Sequence, residues 1–308
     1  MSGPALNRRL LAPRWSGSFA DLAEGWTSAV VEVDLQGMGA FAGVPNLLNK
    51  VRGAWGDALL AGASEAVRNG HPCTWSPPCA AEAFFGRKPA IRIGAADSEI
   101  TKPYVLSAER KGQHLLVRLR IFGFADLWTQ PAAHALAEAL RARVRWDLLA
   151  RDDGLFVPKR IEIDDLRVVS DERICLSLPP EACQVCFLTP LDAERGALDE
   201  RPCLLFERLA RRMSMLARWY DLSIETPWHE LEEAWRGCHY ELPEEGTFAG
   251  TRPPARGGHR LRNAMSPHRV VDISGPLETL WPLLRLGELA HVGRGANIGL
   301  GRYLIADP

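Results

Sequence analysis

The sequence predicts an α+β chain built from two tandem units, each running β-α-β-β-α-β, with a glycine-rich loop before the last strand. Three observations predict it. Alternating β-branched segments recur between amphipathic segments in both halves. The pattern of the first half repeats loosely in the second. The chain has 308 residues, 46% hydrophobic and 24% charged, which suits soluble globular domains rather than disorder.

Ser28 to Leu35 (SAVVEVDL) alternates and reads as a strand. Gly37, Gly39 and Gly43 follow as a flexible loop. Pro45 to Val67 predicts a helix, with proline in its first turn and Leu47, Leu48, Val51, Trp55 and Leu59 at helical spacing. His71 to Pro89 is a loop rich in Pro and Cys. Short strands are expected at Ala90–Ile93 and Tyr104–Ser107, and a strongly alternating one at Gln113–Phe122. Pro131–Val144 reads as a helix and Arg160–Val169 as a strand. This order is the ferredoxin-like arrangement.

In the second half, Gln184–Leu188 reads as a strand and Pro202–Trp219 as an amphipathic helix carrying Arg208, Arg211, Arg212 and Arg218. Asp221 to Glu245 is acidic, with eight Asp and Glu against one Arg. Val270–Ile273 reads as a strand, Pro276–Leu289 as a helix and Leu300–Ile305 as the closing strand. The expected domains are residues 1–178 and 179–308.

The net charge of −1 announces no nucleic-acid partner, although 32 arginines stand against 5 lysines. No apolar run reaches membrane-spanning length. Pro13, Arg14 and Trp15 interrupt the place where a secretory signal needs its apolar core, so the expected location is cytoplasmic. Seven cysteines without an export signal argue against a disulfide framework. Cys183 and Cys186 lie three apart on a strand and face opposite sides. His71, Cys73 and Cys79 sit in a Pro-rich loop and stay a minor metal-site candidate, with fewer ligands than a closed zinc site takes. No metal and no cofactor is assigned.

Two segments carry chemical information. Thr251 to Val270 contains Arg252, Arg256, Arg260, Arg262 and Arg269, with His259 and His268 and no acid. Such a loop suits a phosphate ligand. The second segment, His291 to Tyr303 (HVGRGANIGLGRY), holds Gly293, Gly295, Gly299 and Gly301. Its glycines suit an anion nest of main-chain amides. A helix precedes it and a strand follows, the reverse of a dinucleotide fingerprint. No Gly-Lys-Ser/Thr follows, so it is not a Walker loop. The helix end that meets it is negative, so Arg294 and Arg302 must supply the positive charge.

The run Leu280–Ile305, LWPLLRLGELAHVGRGANIGLGRYLI, resembles the C-terminal signature of the CRISPR RAMP proteins, closest to the endoribonucleases that process precursor CRISPR RNA. Weaker echoes are LNKVRGAWGDALL (Leu48–Leu60), IFGFA (Ile121–Ala125) and FLTPL (Phe187–Leu191). The resemblance implies two ferredoxin-like (RRM-like) domains, binding of a repeat-RNA hairpin, and one metal-independent cut. In that cut the ribose 2′-OH attacks the adjacent phosphate and leaves a 2′,3′-cyclic phosphate and a 5′-OH. CRISPR effector subunits are the further partners it implies. The chemistry asks for a base, an acid and cationic donors for the phosphorane.

Family enzymes commonly place a histidine near the first helix, and residues 30–70 here contain none. The catalytic candidates are therefore Arg52, Lys50 and His291, with His259 and His268 as further acid or base candidates. The RNA-binding candidates are Arg252, Arg256, Arg260, Arg262, His268 and Arg269, together with Gly293, Arg294, Gly295, Asn297, Gly299, Gly301 and Arg302. The polar face of the 204–219 helix joins them. Tyr303 is expected to pack in the last strand. Two alternatives stay open: a non-catalytic crRNA-binding subunit of an effector complex, and an unrelated α+β protein that binds a small anion through the glycine loop.

Overall fold

The computed structural model of the chain describes residues 3–94, 96–151, 154–170, 173–191, 201–242 and 270–306. In chain order the first half comprises α1 (Gly3–Leu11), β1 (Trp15–Gly17), α2 (Phe19–Glu24), β2 (Ser28–Leu35), α3 (Leu47–Ala61), α4 (Glu65–Arg68), α5 (Ala80–Phe85), β3 (Ala90–Ile93) and β4 (Ala96–Glu99). It continues with β5 (Tyr104–Lys111), β6 (His114–Phe122), α6 (Thr129–Glu138), α7 (Trp146–Arg151) and β7 (Ile163–Ser170). The second half comprises β8 (Ala182–Phe187), α8 (Leu204–Ala217), β9 (Leu222–Ile224), α9 (Trp228–Gly237), β10 (His239–Glu241), β11 (Val270–Ser274), α10 (Trp281–Ala290) and β12 (Tyr303–Ala306).

Each half carries a four-stranded antiparallel sheet. The first has the order β5-β6-β2-β7 and the second β10-β11-β8-β12. Within each sheet the first and third strands in sequence lie at the centre. In the first sheet Val31, Val33, Val117, Leu119 and Leu106 are buried on the face that α3 and α6 cover. Strand alternation puts Glu32, Arg118, Glu109 and Arg167 on the other face. There Glu32 lies opposite both Arg118 and Arg167 in the strand register. Arg118 Nε donates to Glu32 at 2.6 Å and Arg118 also pairs with Glu109 at 2.7 Å. Burial pushes the Glu32 carboxyl up, but the two guanidinium groups outweigh it and hold it below its usual range. One apolar cluster runs through both halves.

The predicted 45–67 helix is two helices. It stops at Gly62, and Ser64 starts α4 by accepting the Val67 amide with its hydroxyl. The helix expected from Pro276 begins at Trp281, after a turn. The acidic stretch after Asp221 holds a helix, α9, which buries Leu231 and Trp235. Near the N-terminus, β1 pairs in parallel with β9, and Arg9 and Arg14 both reach Asp221. Residues 3–17 therefore pack on the second half, a long-range pairing with no local signature. Among the described residues, no helix is long and apolar enough to cross a membrane.

Candidate nucleic-acid interface

The N-terminal turn of α3 meets the glycine loop where the halves join. Asn46 takes a left-handed backbone (φ 64°), which asparagine tolerates, and turns the chain into α3. The helix then buries Leu47, Val51, Trp55 and Leu59 toward the sheet and leaves Lys50 exposed. Arg52 is half-buried. Its Nε donates to the Tyr104 hydroxyl at 3.0 Å, and its guanidinium lies 5.3 Å from the Phe85 ring centre. Burial pushes the Tyr104 phenol up, with the Arg52 charge opposing. Among the described residues no carboxylate pairs with Lys50, Arg52 or Arg294.

The loop sits on this platform through Gly299. That residue has φ 83°, and a Cβ there would lie 2.5 Å from the Leu48 side chain and 2.9 Å from the Leu106 carbonyl. At Gly301 (φ 65°) a Cβ would overlap the Val292 carbonyl oxygen. Both positions demand glycine for packing and backbone shape.

The expected nest of main-chain amides is not available at its C-terminal end. Ile298 and Leu300 donate to Gly295 O, Gly299 to Ala296 O, Gly301 to Pro190 O, and Arg302 to Thr189 Oγ1. Five consecutive N–H groups are spent inside the protein. Thr189 Oγ1 in turn donates to Gly299 O at 2.8 Å. The FLTPL segment is thus the seat of the glycine loop, although they are far apart in sequence.

The remaining candidates divide. Arg294 is exposed, Gly293, Gly295 and Asn297 are half-buried, and Gly299 and Gly301 are buried. Arg302 is half-buried beside Glu109 (3.9 Å). Burial lowers its pKa, with the Glu109 charge opposing. His291 is 2% exposed, with a left-handed backbone (φ 60°) at the end of α10. Burial, then the charges of Arg212, Arg120 and Arg302, hold its imidazole well below the usual value. Its Nδ1 has no partner among the described residues. The structure thus places His291 inside the fold and not on the exposed surface that carries Lys50 and Arg294, which was not foreseen for a catalytic candidate. Tyr303 packs as expected, its hydroxyl donating to Leu284 O. Arg252, Arg256, Arg260, Arg262, His268 and Arg269, with His259, lie outside the described residues.

Three of the helix arginines are engaged within the fold. Arg211 binds Glu207 and Ile93 O, and Arg218 reaches Leu11 O and Ser223. Arg212 is fully withdrawn, donating through Nε to Ala290 O at 2.8 Å, through NH1 to Thr101 Oγ1 at 3.1 Å, and through NH2 to Asn297 Oδ1 at 3.2 Å. A sequence signal for this burial existed. Leu205, Leu209 and Leu216 form the buried stripe of α8. Position 212 falls in that stripe at i+3 from Leu209. The Arg52–Tyr104 pair had no such signal, since its partners lie 52 residues apart.

For metals, the ligand atoms of Asp34, His114 and Asp164 lie within 4.8 Å of one another, and Asp34 already pairs with His114 Nδ1 at 2.7 Å. Cys73 is instead buried among hydrogen bonds from Ser64 Oγ and the Cys79 amide, while His71 is exposed.

Residues 185–303, which span the second sheet, the glycine loop and its seat, match the family of CRISPR-associated endoribonuclease Cas6. The match covers less than half of the chain and lies wholly in its second half. The fold is similar to that of a Cas6 solved as a product complex, at 15% identity and a TM-score of 0.54, covering 91% of this chain and 100% of that one. Thermus thermophilus Cas6 aligns at 12% identity and a TM-score of 0.46, covering 91% and 99%. At such identities the likeness is one of fold. Among curated proteins, no sequence matches the chain. The glycine loop and α10 fall within the matched region, and α3 with Lys50 and Arg52 falls outside it.

Proposed function

We propose that the chain is a precursor-crRNA-processing endoribonuclease that binds a CRISPR repeat hairpin and cuts it once. The observation that carries this reading is the Cas6 match over the glycine loop, in a fold that seats the loop on α3. The two β-α-β-β-α-β halves are ferredoxin-like domains, 1–178 and 179–308, with residues 3–17 crossing onto the second. Association with other CRISPR proteins belongs to the same reading.

The cut proceeds by attack of the ribose 2′-OH on the adjacent phosphate, giving 2′,3′-cyclic phosphate and 5′-OH ends without a metal-activated water. Arg52, fixed by Tyr104 and Phe85, supplies a permanent cation to the phosphorane oxygens. Lys50, exposed two residues away, supplies a second. Arg294 and the glycine loop hold the RNA backbone beside them. A stem is gripped by its phosphates and minor groove, because its base edges are hidden in a deep, narrow groove.

The second reading is a crRNA-binding subunit that does not cut. It is favoured by the burial of His291 and the absence of histidine from residues 30–70. End-labelled repeat RNA incubated with the protein in EDTA separates the two. A single cut with a cyclic phosphate end supports the first. Tight, salt-sensitive retention without a cut supports the second. Neither cut nor retention removes both.

A further inference from the structure

Arg212 is a buried guanidinium whose hydrogen-bond partners among the described residues are all neutral. Its three acceptors are Ala290 O, Thr101 Oγ1 and Asn297 Oδ1, one each from the end of α10, the first half and the glycine loop. Burial lowers its pKa to about 10, so it stays charged at neutral pH. A buried charge ordinarily has a paired counter-charge. None of the described carboxylates takes that place here.

The contact to Asn297 has a directional consequence. A guanidinium has five N–H donors and no acceptor, so only the amide oxygen of Asn297 can face it. The Nδ2 group is then directed away from the guanidinium, and no described residue accepts its two N–H groups. Asn297 is half-buried and sits between Gly295 and Gly299 at the crest of the loop. A pair of fixed donors thus stands in front of an uncompensated positive charge.

We propose that Asn297 Nδ2 is a contact for one phosphate oxygen of the bound RNA, and that Arg212 is the positioning residue that turns the amide outward. This rests on the RNA-binding reading above. The positive charge behind the amide favours an anionic oxygen over a neutral base carbonyl. Main-chain amides cannot take this role at 298–302, because all five are spent within the fold.

The deciding variant is Asn297→Asp. It gives Arg212 its missing carboxylate while removing the outward donors and adding a negative charge to the crest. The expected result is a melting temperature equal to or above that of the parent protein, together with repeat-RNA binding weakened at least tenfold. Asn297→Ala is expected to weaken binding about fivefold. Arg212→Lys, which keeps the charge without the planar fork, is expected to bind RNA at least threefold more weakly. Asn297→Asp binding RNA as well as the parent protein overturns the assignment alone. A purely structural role for the pair predicts that same result. A parent protein that retains no repeat RNA overturns the RNA reading, and the assignment with it.

Discussion

Arg118 and Arg212 are both drawn away from water, yet their surroundings are opposite. Arg118 lies on the charged face of the first sheet between Glu32 and Glu109, each an ion pair. Arg212 lies under the glycine loop and touches only neutral oxygens. In the first region the charges close on themselves and leave little field outside. In the second, a fixed cation stands behind a loop whose crest carries unused donors. An arginine count therefore says little about function, because the decisive quantity is whether a carboxylate has already answered the charge.

The largest expected effect tests the scaffold of the second region. Gly301→Val, forced into φ 65° against the Val292 carbonyl, should cost more than about 4 kcal/mol and yield no cooperatively folded protein in urea denaturation. A normal transition would mean the loop is not pinned. Next, Arg118→Met should cost about 2 kcal/mol, because Glu109 loses its close partner and Glu32 keeps only Arg167. Arg212→Met, which strands no charge, should cost less than about 1 kcal/mol. Equal losses in chemical denaturation would erase the contrast between the two regions.

A smaller effect is expected at the α3 platform. Arg52→Ala should slow cleavage more than tenfold, about 1.4 kcal/mol of barrier, with RNA affinity changed less than about threefold. Single-turnover rates at saturating protein measure this, and an unchanged rate would remove Arg52 from the chemistry.

Lys88 sharpens the comparison from another side. Like Arg212, it is a buried cation donating to main-chain carbonyls, Glu82 O and Gly86 O. Unlike arginine, it can release its proton. Burial, then the charge of Lys102, lowers its pKa from 10.5 to about 7. Below that value both folded and unfolded chains carry the charge, and the folded one bears its burial in full. Between there and 10.5 the unfolded chain holds a proton that the folded chain lacks, so stability climbs with pH. Relative to Lys88→Met, the parent protein should gain about 1 kcal/mol of unfolding free energy per pH unit above neutrality. Parallel pH profiles for the two proteins would show that Lys88 never neutralises.

Local pattern made much of the fold legible. The strand alternation in β2 and β6, and the stripe in α3, depend on residues two to four apart. The main strands and helices of the two four-stranded sheets, such as β2, β6, α3, α8 and α10, lie where the sequence predicts them within a few residues, whereas the N-terminal elements α1, β1 and α2 were not foreseen. The misses have local causes of their own. The helix from Pro45 ends early because Gly62 and Ser64 stop and restart it. Helix α9 is hidden by its acidic composition, although Leu231 and Trp235 keep helical spacing. At the site, the glycine positions and Arg52 were legible, whereas the burial of His291 and Arg302 was not.

The sequence by itself determined the main strands and helices of the two halves, the place of the glycine loop and the lack of a histidine near α3. These are properties of short windows, where side-chain spacing and backbone freedom decide. Only the tertiary structure decided which cations are answered and which are not. The three acceptors of Arg212 lie 78 to 111 residues from it. Electrostatic environment is set by distance in space, and chain packing brings those groups together with no trace in the neighbouring sequence.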